Sequence, residues 1–416
     1  MRPAPTNVER SRPFLSRISE AISKQLWFLD GTTLCAEARR RTGLEDFGEP
    51  PVEPGLSVLV QSLENEAALR PRGRFLLRSH LRGLLEMRLK LAEYWRDKLD
   101  SLESMPVTRP VFIAGMPRSG STFLHELLAE DPEHRAPRVW EVMLPLDAVG
   151  GRRAEARAIR KTEACLWCFR KLTRRADAVY PMRAQTPHEC VAIHSYTFLS
   201  QEFVVTCRIP SYAAFLQSAD LIPAYQWEKR FLQHLQLERQ SRRWVLKSPD
   251  HVHGLAALFA VFPDALIIQT HRNPAEVVKS SADLNSVLLG LYGAPGDPAQ
   301  LQVQETRVLA ETTERFLRFR DTHPELADQF IDVRYADLVS DPVGSVRRIY
   351  DRIESPFTQE TANRLRSLAA NRFRYRGRRA SAEPDVVKVA TALETARFER
   401  YCTRFQLPFE KAELST

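Results

Sequence analysis

Nowhere in the 416 residues is there an unbroken run of about 18 apolar side chains, the length a membrane-crossing helix needs. The stretch "LAALFAVFPDALII" is interrupted by Pro263 and Asp264. The opening residues, "MRPAPTNVERSRPFLSRISEAISKQ", lack the apolar centre of a secretion signal. Six cysteines in a chain this long do not make a disulfide framework. Together these absences lead to the expectation of a cytoplasmic protein with no transmembrane segment. Internal repeats and low-complexity tracts are missing too. Charge of one sign is also scarce: 60 Lys and Arg against 52 Asp and Glu leave a net charge of +8. Much of that excess lies in stretches such as "GRRAEARAIRKTEACLWCFRKLTRRAD", which reads as a solvated helix face. Such a balance suits an anionic ligand. Without a basic stripe or an aromatic stacking platform, no nucleic-acid partner is expected.

Metal ligands are equally thin on the ground. Cys165 and Cys168 form a C-x-x-C pair, but no second pair follows, and Cys190 and Cys207 stand alone. A structural zinc site needs four ligands at workable spacing, so no metal is expected.

What is present divides near residue 107. Residues 1–107 read as a helical N-terminal region. "GRFLLRSHLRGLLEMRLKLAEYWRDKLDSL" places Leu77, Leu81, Leu84, Leu85 and Leu89 on one apolar face. From 108 to 416 strands alternate with helices. "PVFIAG", "RRWVLKSP", "DALIIQTHR" and "QFIDVRYADL" are short apolar strands, each leading into a helix-like segment. That alternation predicts a parallel α/β sheet with ligands at the carboxyl ends of its strands. A mostly helical insertion at about 150–240 would form a lid or substrate wall.

The first of these strands runs into "GMPRSGST", from Gly115 to Thr122. The frame is that of a phosphate-binding loop, G-x-x-x-x-G-K-[ST], but Ser121 stands where the lysine belongs. A turn of this kind aims backbone N–H groups and the positive end of a helix at an anion. A clear magnesium-binding carboxylate at a strand end is missing. The strand ends instead carry cations: Arg118 in the loop, Lys247 after the second strand and Arg272 after the third. Such a set suits an anion neutralised by Arg and Lys.

"GMPRSGSTFLHELL" resembles the 5′-phosphosulfate loop of sulfotransferases that use 3′-phosphoadenosine 5′-phosphosulfate (PAPS), in particular the bacterial subgroup. "HRNPAEVVKSSADL", with Arg272 and Ser280 eight residues apart, is similar to their 3′-phosphate motif. "WVLKSPDH" and "VRYADLVSDPVGSVRRIY" extend the likeness over roughly 108–355. The resemblance implies a P-loop-like three-layer α/β fold with a central parallel sheet. It also implies PAPS as co-substrate, with transfer of a sulfuryl group to a hydroxyl or amine of a small-molecule acceptor. It assigns Arg118, Ser119, Gly120, Ser121 and Thr122 to the 5′-phosphosulfate, Arg272 and Ser280 to the 3′-phosphate, and Lys247 to the leaving phosphate; Phe123 either matches the place where cytosolic members set a tryptophan against the adenine or is a core residue. The basic segment "RFRYRGRRAS" beginning at 372 is a candidate for closing over the nucleotide.

In-line transfer also needs a base for the acceptor proton. Glu141, 23 residues after Arg118, is the first choice by resemblance to the tyrosylprotein enzymes; Glu189, His125 and His251 are its rivals. Tyr196, Phe198, Phe203, Tyr212 and Phe215 either line an apolar or amphipathic acceptor's pocket or form the insertion's own core. A P-loop kinase and a non-catalytic polyanion-binding protein are the alternative readings. 

Overall fold

The structure, a computed structural model, describes residues 25–172, 182–239, 243–376 and 392–408. Five parallel strands form one sheet: β1 (Val111–Gly115), β2 (His134–Arg135), β3 (Arg243–Lys247), β4 (Leu266–His271) and β5 (Phe330–Arg334). Their order across the sheet is β2-β3-β1-β4-β5. The four strands expected from sequence are all present. The fifth, β2, is two residues long and too short to show any periodicity.

β1 lies between two parallel neighbours and is buried at all five positions, which explains its unbroken apolar run. Its side chains alternate between the two apolar layers that sandwich the sheet. Phe112 and Ala114 enter one cluster; Val111 and Ile113 enter the other. The first cluster is continuous with the N-terminal helices and the insertion, through residues such as Leu85, Trp95, Tyr196 and Trp227.

One buried cation ties these parts together. Arg88, on the helix Pro71–Arg96, donates to the carbonyls of Phe47 and Tyr196 at 2.9 and 2.7 Å. Its guanidinium also lies 4.3 Å from the centre of a Trp227 ring. No described helix is long and apolar enough to cross a membrane.

Register decides what meets at the top of the sheet. Ile113 pairs with Lys247 and Gly115 with Thr270, so the ends of β3 and β4 flank the loop that leaves β1.

Candidate active site

The loop after β1 is held in a shape that few sequences permit. Gly115 has φ +130°, and a Cβ there would lie 2.7 Å from the Thr270 carbonyl oxygen. Gly120 has φ +94°, and a Cβ there would meet the Tyr335 ring at 2.7 Å. Glycine is required at both positions, by φ and by space. Arg118, between them, also adopts the left-handed region at φ 64°. The helix Ser121–Ala129 follows with no side-chain cap, so its positive end faces the loop.

The two phosphate motifs, far apart in the chain, are in direct contact. Nε of Arg118 donates to Oγ of Ser280 at 2.9 Å, across 162 residues. Nη1 of Arg272 donates to the Arg118 carbonyl at 3.0 Å. The Arg272 guanidinium lies 4.3 Å from the centre of the Tyr335 ring and is paired with Glu276. Asn273 caps the helix Pro274–Leu289, accepting from the Ala275 N–H at 2.9 Å, and this sets Ser280 two turns along it. Lys247 reaches the same loop from β3. It is 3% exposed, and Nζ donates to Oγ1 of Thr122 at 3.1 Å and to Oε1 of Glu189 at 2.5 Å.

Arg118, Gly120, Ser121, Thr122, Lys247, Arg272 and Ser280 are therefore gathered at the carboxyl ends of β1, β3 and β4. Two of the expected contacts have side chains turned into the protein. The Ser119 side chain is fully buried, with Oγ 2.5 Å from the Met116 carbonyl and 2.6 Å from Oγ1 of Thr270. Its hydroxyl pins the loop to β4. Phe123 is 3% exposed and lies in one apolar cluster with Val111, Ile113, Leu124 and Leu127.

The base candidates separate on geometry. Oε1 of Glu141 accepts from Arg135 at 3.0 Å and Oε2 from the Arg138 N–H at 2.8 Å, closing the first turn of the helix Val139–Met143. None of the residues gathered at the loop is among these partners. Glu189 precedes the helix Cys190–His194 but makes no side-chain capping bond, and its carboxylate turns to Lys247 instead. His125 is buried, with Nε2 3.1 Å from the Val245 carbonyl, and burial pushes its pKa down to about 3. His251 is buried against Tyr225, and burial lowers it to about 4. Both are neutral near pH 7, and both are packed residues.

Tyr196, Phe198, Phe203 and Tyr212 are at most 4% exposed and pack on one another or on Phe231; they are the insertion's core, not an acceptor wall. Cys165 and Cys168 are exposed free thiols. The side chains of the basic segment from 372 lie outside the described residues.

Sequence reasoning missed Tyr335 and Thr270, which back the two loop glycines. Both sit at the carboxyl end of a strand adjoining the loop strand or its neighbour, and that position was the available signal.

Comparison with known proteins agrees with this architecture. A profile described as "Sulfotransferase family" matches residues 110–359. The chain is 26% identical over 284 residues to omega-hydroxy-beta-dihydromenaquinone-9 sulfotransferase Stf3 of Mycobacterium bovis, covering 66% of this chain and 70% of that protein. Among solved structures, sulfotransferase STF9 of Mycobacterium avium superposes with a TM-score of 0.76 at 26% identity, over 92% of this chain and 99% of that one. Sulfotransferase STF1 of Mycobacterium tuberculosis H37Rv gives 0.72 at 27% identity, over 88% and 97%. The kinase and polyanion-binding alternatives give way to these matches. The chain belongs to the sulfotransferase family, and the protein is a sulfuryl-transferring enzyme.

Proposed function

We propose that the two joined motifs seat PAPS, and that Glu189 and Lys247 act on the acceptor and the leaving group. The donor set favours this reading. It consists of three cations and two hydroxyls around an uncapped helix end, arranged as two neighbouring seats. The observation that carries it is the bond from Arg118 to Ser280, which couples the 5′ seat to the 3′ seat. Arg118, the N–H groups of Gly120, Ser121 and Thr122, and Lys247 form the first seat; Arg272 and Ser280 form the second.

PAPS supplies an activated sulfuryl group and a bisphosphate leaving group. An ammonium carries three donors, and two of those on Lys247 go to Thr122 and Glu189. The third serves the phosphate oxygen that gains charge as its bond to sulfur breaks, and Arg118 shares that charge. Glu189 takes the proton of the acceptor hydroxyl as the acceptor oxygen bonds to sulfur. The pairing with Lys247 also stabilises a buried ammonium that would otherwise be costly. Glu189 thereby replaces Glu141 as the proposed base, since both Glu141 oxygens are engaged in closing a helix turn.

We assign the acceptor to the apolar alcohols, the class named for the mycobacterial relative. It approaches from the insertion side, where His188 and Glu189 are partly exposed.

Titration with adenosine 3′,5′-bisphosphate while unfolding is followed by heat tests the seat. A rise in Tm is expected, and Arg272→Ala should abolish it in a chain that still folds. An unchanged Tm for the wild-type chain would overturn the assignment. A panel of isoprenoid alcohols, phenols and sugars, assayed for sulfated product, then tests the acceptor class.

A further inference from the structure

Behind the Lys247–Glu189 pair lies a second group of side chains that the transfer reaction does not use. Sγ of Cys190, a carboxylate oxygen of Glu228 and a ring nitrogen of His251 all lie within 4.8 Å of one another. The three residues are 1%, 0% and 0% exposed. They come from three separate segments: the helix Cys190–His194, the helix Ile222–Gln236 and the turn after β3.

The outer atoms of this group are held by neighbours. Oε2 of Glu228 is 2.8 Å from Nε2 of His194, and Nδ1 of His251 is 3.0 Å from the Tyr225 hydroxyl. The inner atoms are different. Oε1 of Glu228 and Nε2 of His251 are buried with no hydrogen-bond partner. The Cys190 thiol faces the same carboxylate, but a thiol is a weak donor. A buried polar atom that nothing meets carries its desolvation cost uncompensated. Both unmet atoms belong to residues whose ligating groups, with the Cys190 sulfur, gather within 4.8 Å of one another.

A divalent cation would satisfy all three atoms. Thiolate and carboxylate would balance its charge, so the buried site would be neutral. Sulfur, imidazole and carboxylate together are the ligand set of zinc rather than of magnesium or calcium. With Nε2 on the metal, Nδ1 of His251 would donate a hydrogen bond to the Tyr225 hydroxyl 3.0 Å away, and His194 would steady the carboxylate; such outer partners are typical of metal sites. With Zn–S about 2.3 Å and Zn–N about 2.0 Å, tetrahedral ligands lie about 3.5 Å apart, so the group need close by only about 1 Å.

We propose that Cys190, Glu228 and His251 bind one zinc ion, with His194 and Tyr225 as outer partners. The ion would fix Cys190, the neighbour of Glu189, to His251, four residues beyond Lys247. It would thus hold the two segments that carry the catalytic pair. This departs from the expectation of no metal, which rested on the C-x-x-C pair; in the fold that pair is exposed and separate.

The test uses the full chain and two probes, Zn²⁺ and Co²⁺, on a Cys165→Ser/Cys168→Ser background that removes adventitious binding by the exposed thiols. About one zinc per chain is expected by elemental analysis, released by a chelator and restored on titration. Co²⁺ should give the near-ultraviolet thiolate-to-cobalt absorption, and Cys190→Ser should abolish it. Tyr225→Phe keeps all three ligands and should weaken zinc binding about 10- to 100-fold, so the proposal is testable even if the Cys190 variant does not fold. Less than a tenth of an equivalent of zinc with no cobalt band would overturn it, as would unchanged affinity in Tyr225→Phe. The bisphosphate titration reports on the phosphate seat independently, so either reading can fail alone.

Discussion

Two carboxylate–cation pairs lie at opposite ends of β3, and they look alike on paper. At the amino-terminal end Glu141 meets Arg135, whose guanidinium lies 4.8 Å from the Trp244 ring centre and whose backbone pairs with Trp244. At the carboxyl end Glu189 meets Lys247. Trp244 and Lys247 are three residues apart, roughly 10 Å along a strand. All four side chains are no more than 15% exposed. The difference is in what else each group holds. Both Glu141 oxygens close local structure, and Arg135 also binds the carbonyl of Leu235. Lys247 instead bridges Glu189 to the phosphate loop. One pair is fully used by the fold, whereas the other joins the fold to a loop shaped for an anion. Burial and pairing alone do not tell these two carboxylates apart; the remaining bonds of each pair do.

The strongest way to break this comparison is at Glu189. Glu189→Gln keeps a hydrogen bond to Lys247 but loses the base, and kcat should fall about 10²- to 10⁴-fold while the bisphosphate Tm shift remains. A wild-type kcat would return the role to another group. Lys247→Ala should follow, with kcat down about 10²- to 10³-fold. Its loss should be smaller with sulfuryl donors whose leaving group needs less charge stabilisation, measured as a change in the slope of rate against leaving-group pKa. Glu141→Gln should do the opposite of both. It leaves Arg135 nearly buried without its charge partner, so stability should drop by about 2–4 kcal/mol in denaturant titration. Turnover per folded molecule should stay within about twofold of wild type; a loss matching that of Glu189→Gln would merge the two sites.

The sheet was legible because β1, β3 and β4, buried on both faces, leave apolar runs, and β5 leaves the shorter pattern of a strand with Asp332 and Arg334 exposed. The two phosphate motifs were legible because each is local: a turn with its glycines, and an arginine followed two helical turns later by a serine. Their contact, Arg118 to Ser280, spans 162 residues and has no local trace. The stripe Phe123, Leu124, Leu127 and Leu128 was legible as one apolar face of the helix after the loop. The choice between Glu141 and Glu189 was not legible. It depends on the order β2-β3-β1, which lays the chain around Glu141 along the start of β3, and on the insertion, whose middle, at Glu189, returns to the finish of β3. Spacing along the chain, 23 residues from Arg118, carries no information about which end of that strand a carboxylate reaches.

The smallest effect concerns protons around the Lys247 end. Burial lowers His125 to about 3 and His251 to about 4, and on the Glu141 side it lowers His234 to about 4. Between about pH 6.5 and 4 the unfolded chain binds a proton at each of these histidines that the folded chain refuses, so stability falls as pH drops through that window. Asp250 works in the other direction. Burial, with the charge of Glu189 beside it, raises its carboxyl from 3.8 to about 6. The folded chain takes up that proton before the unfolded chain does, so Asp250 adds stability as pH falls from 6 towards 4 and partly offsets the histidines. Asp250→Asn removes this offset while keeping the side-chain volume. Its stability, measured by denaturant unfolding at a series of pH values, should fall more steeply than wild type between pH 6 and 4, by a slope equivalent to about one proton. Above pH 7 the variant should be no less stable than wild type, because the ionised carboxylate is the disfavoured form there. Parallel curves would mean that Asp250 does not feel Glu189, and the Lys247 end would then differ from the Glu141 end in its hydrogen bonds alone.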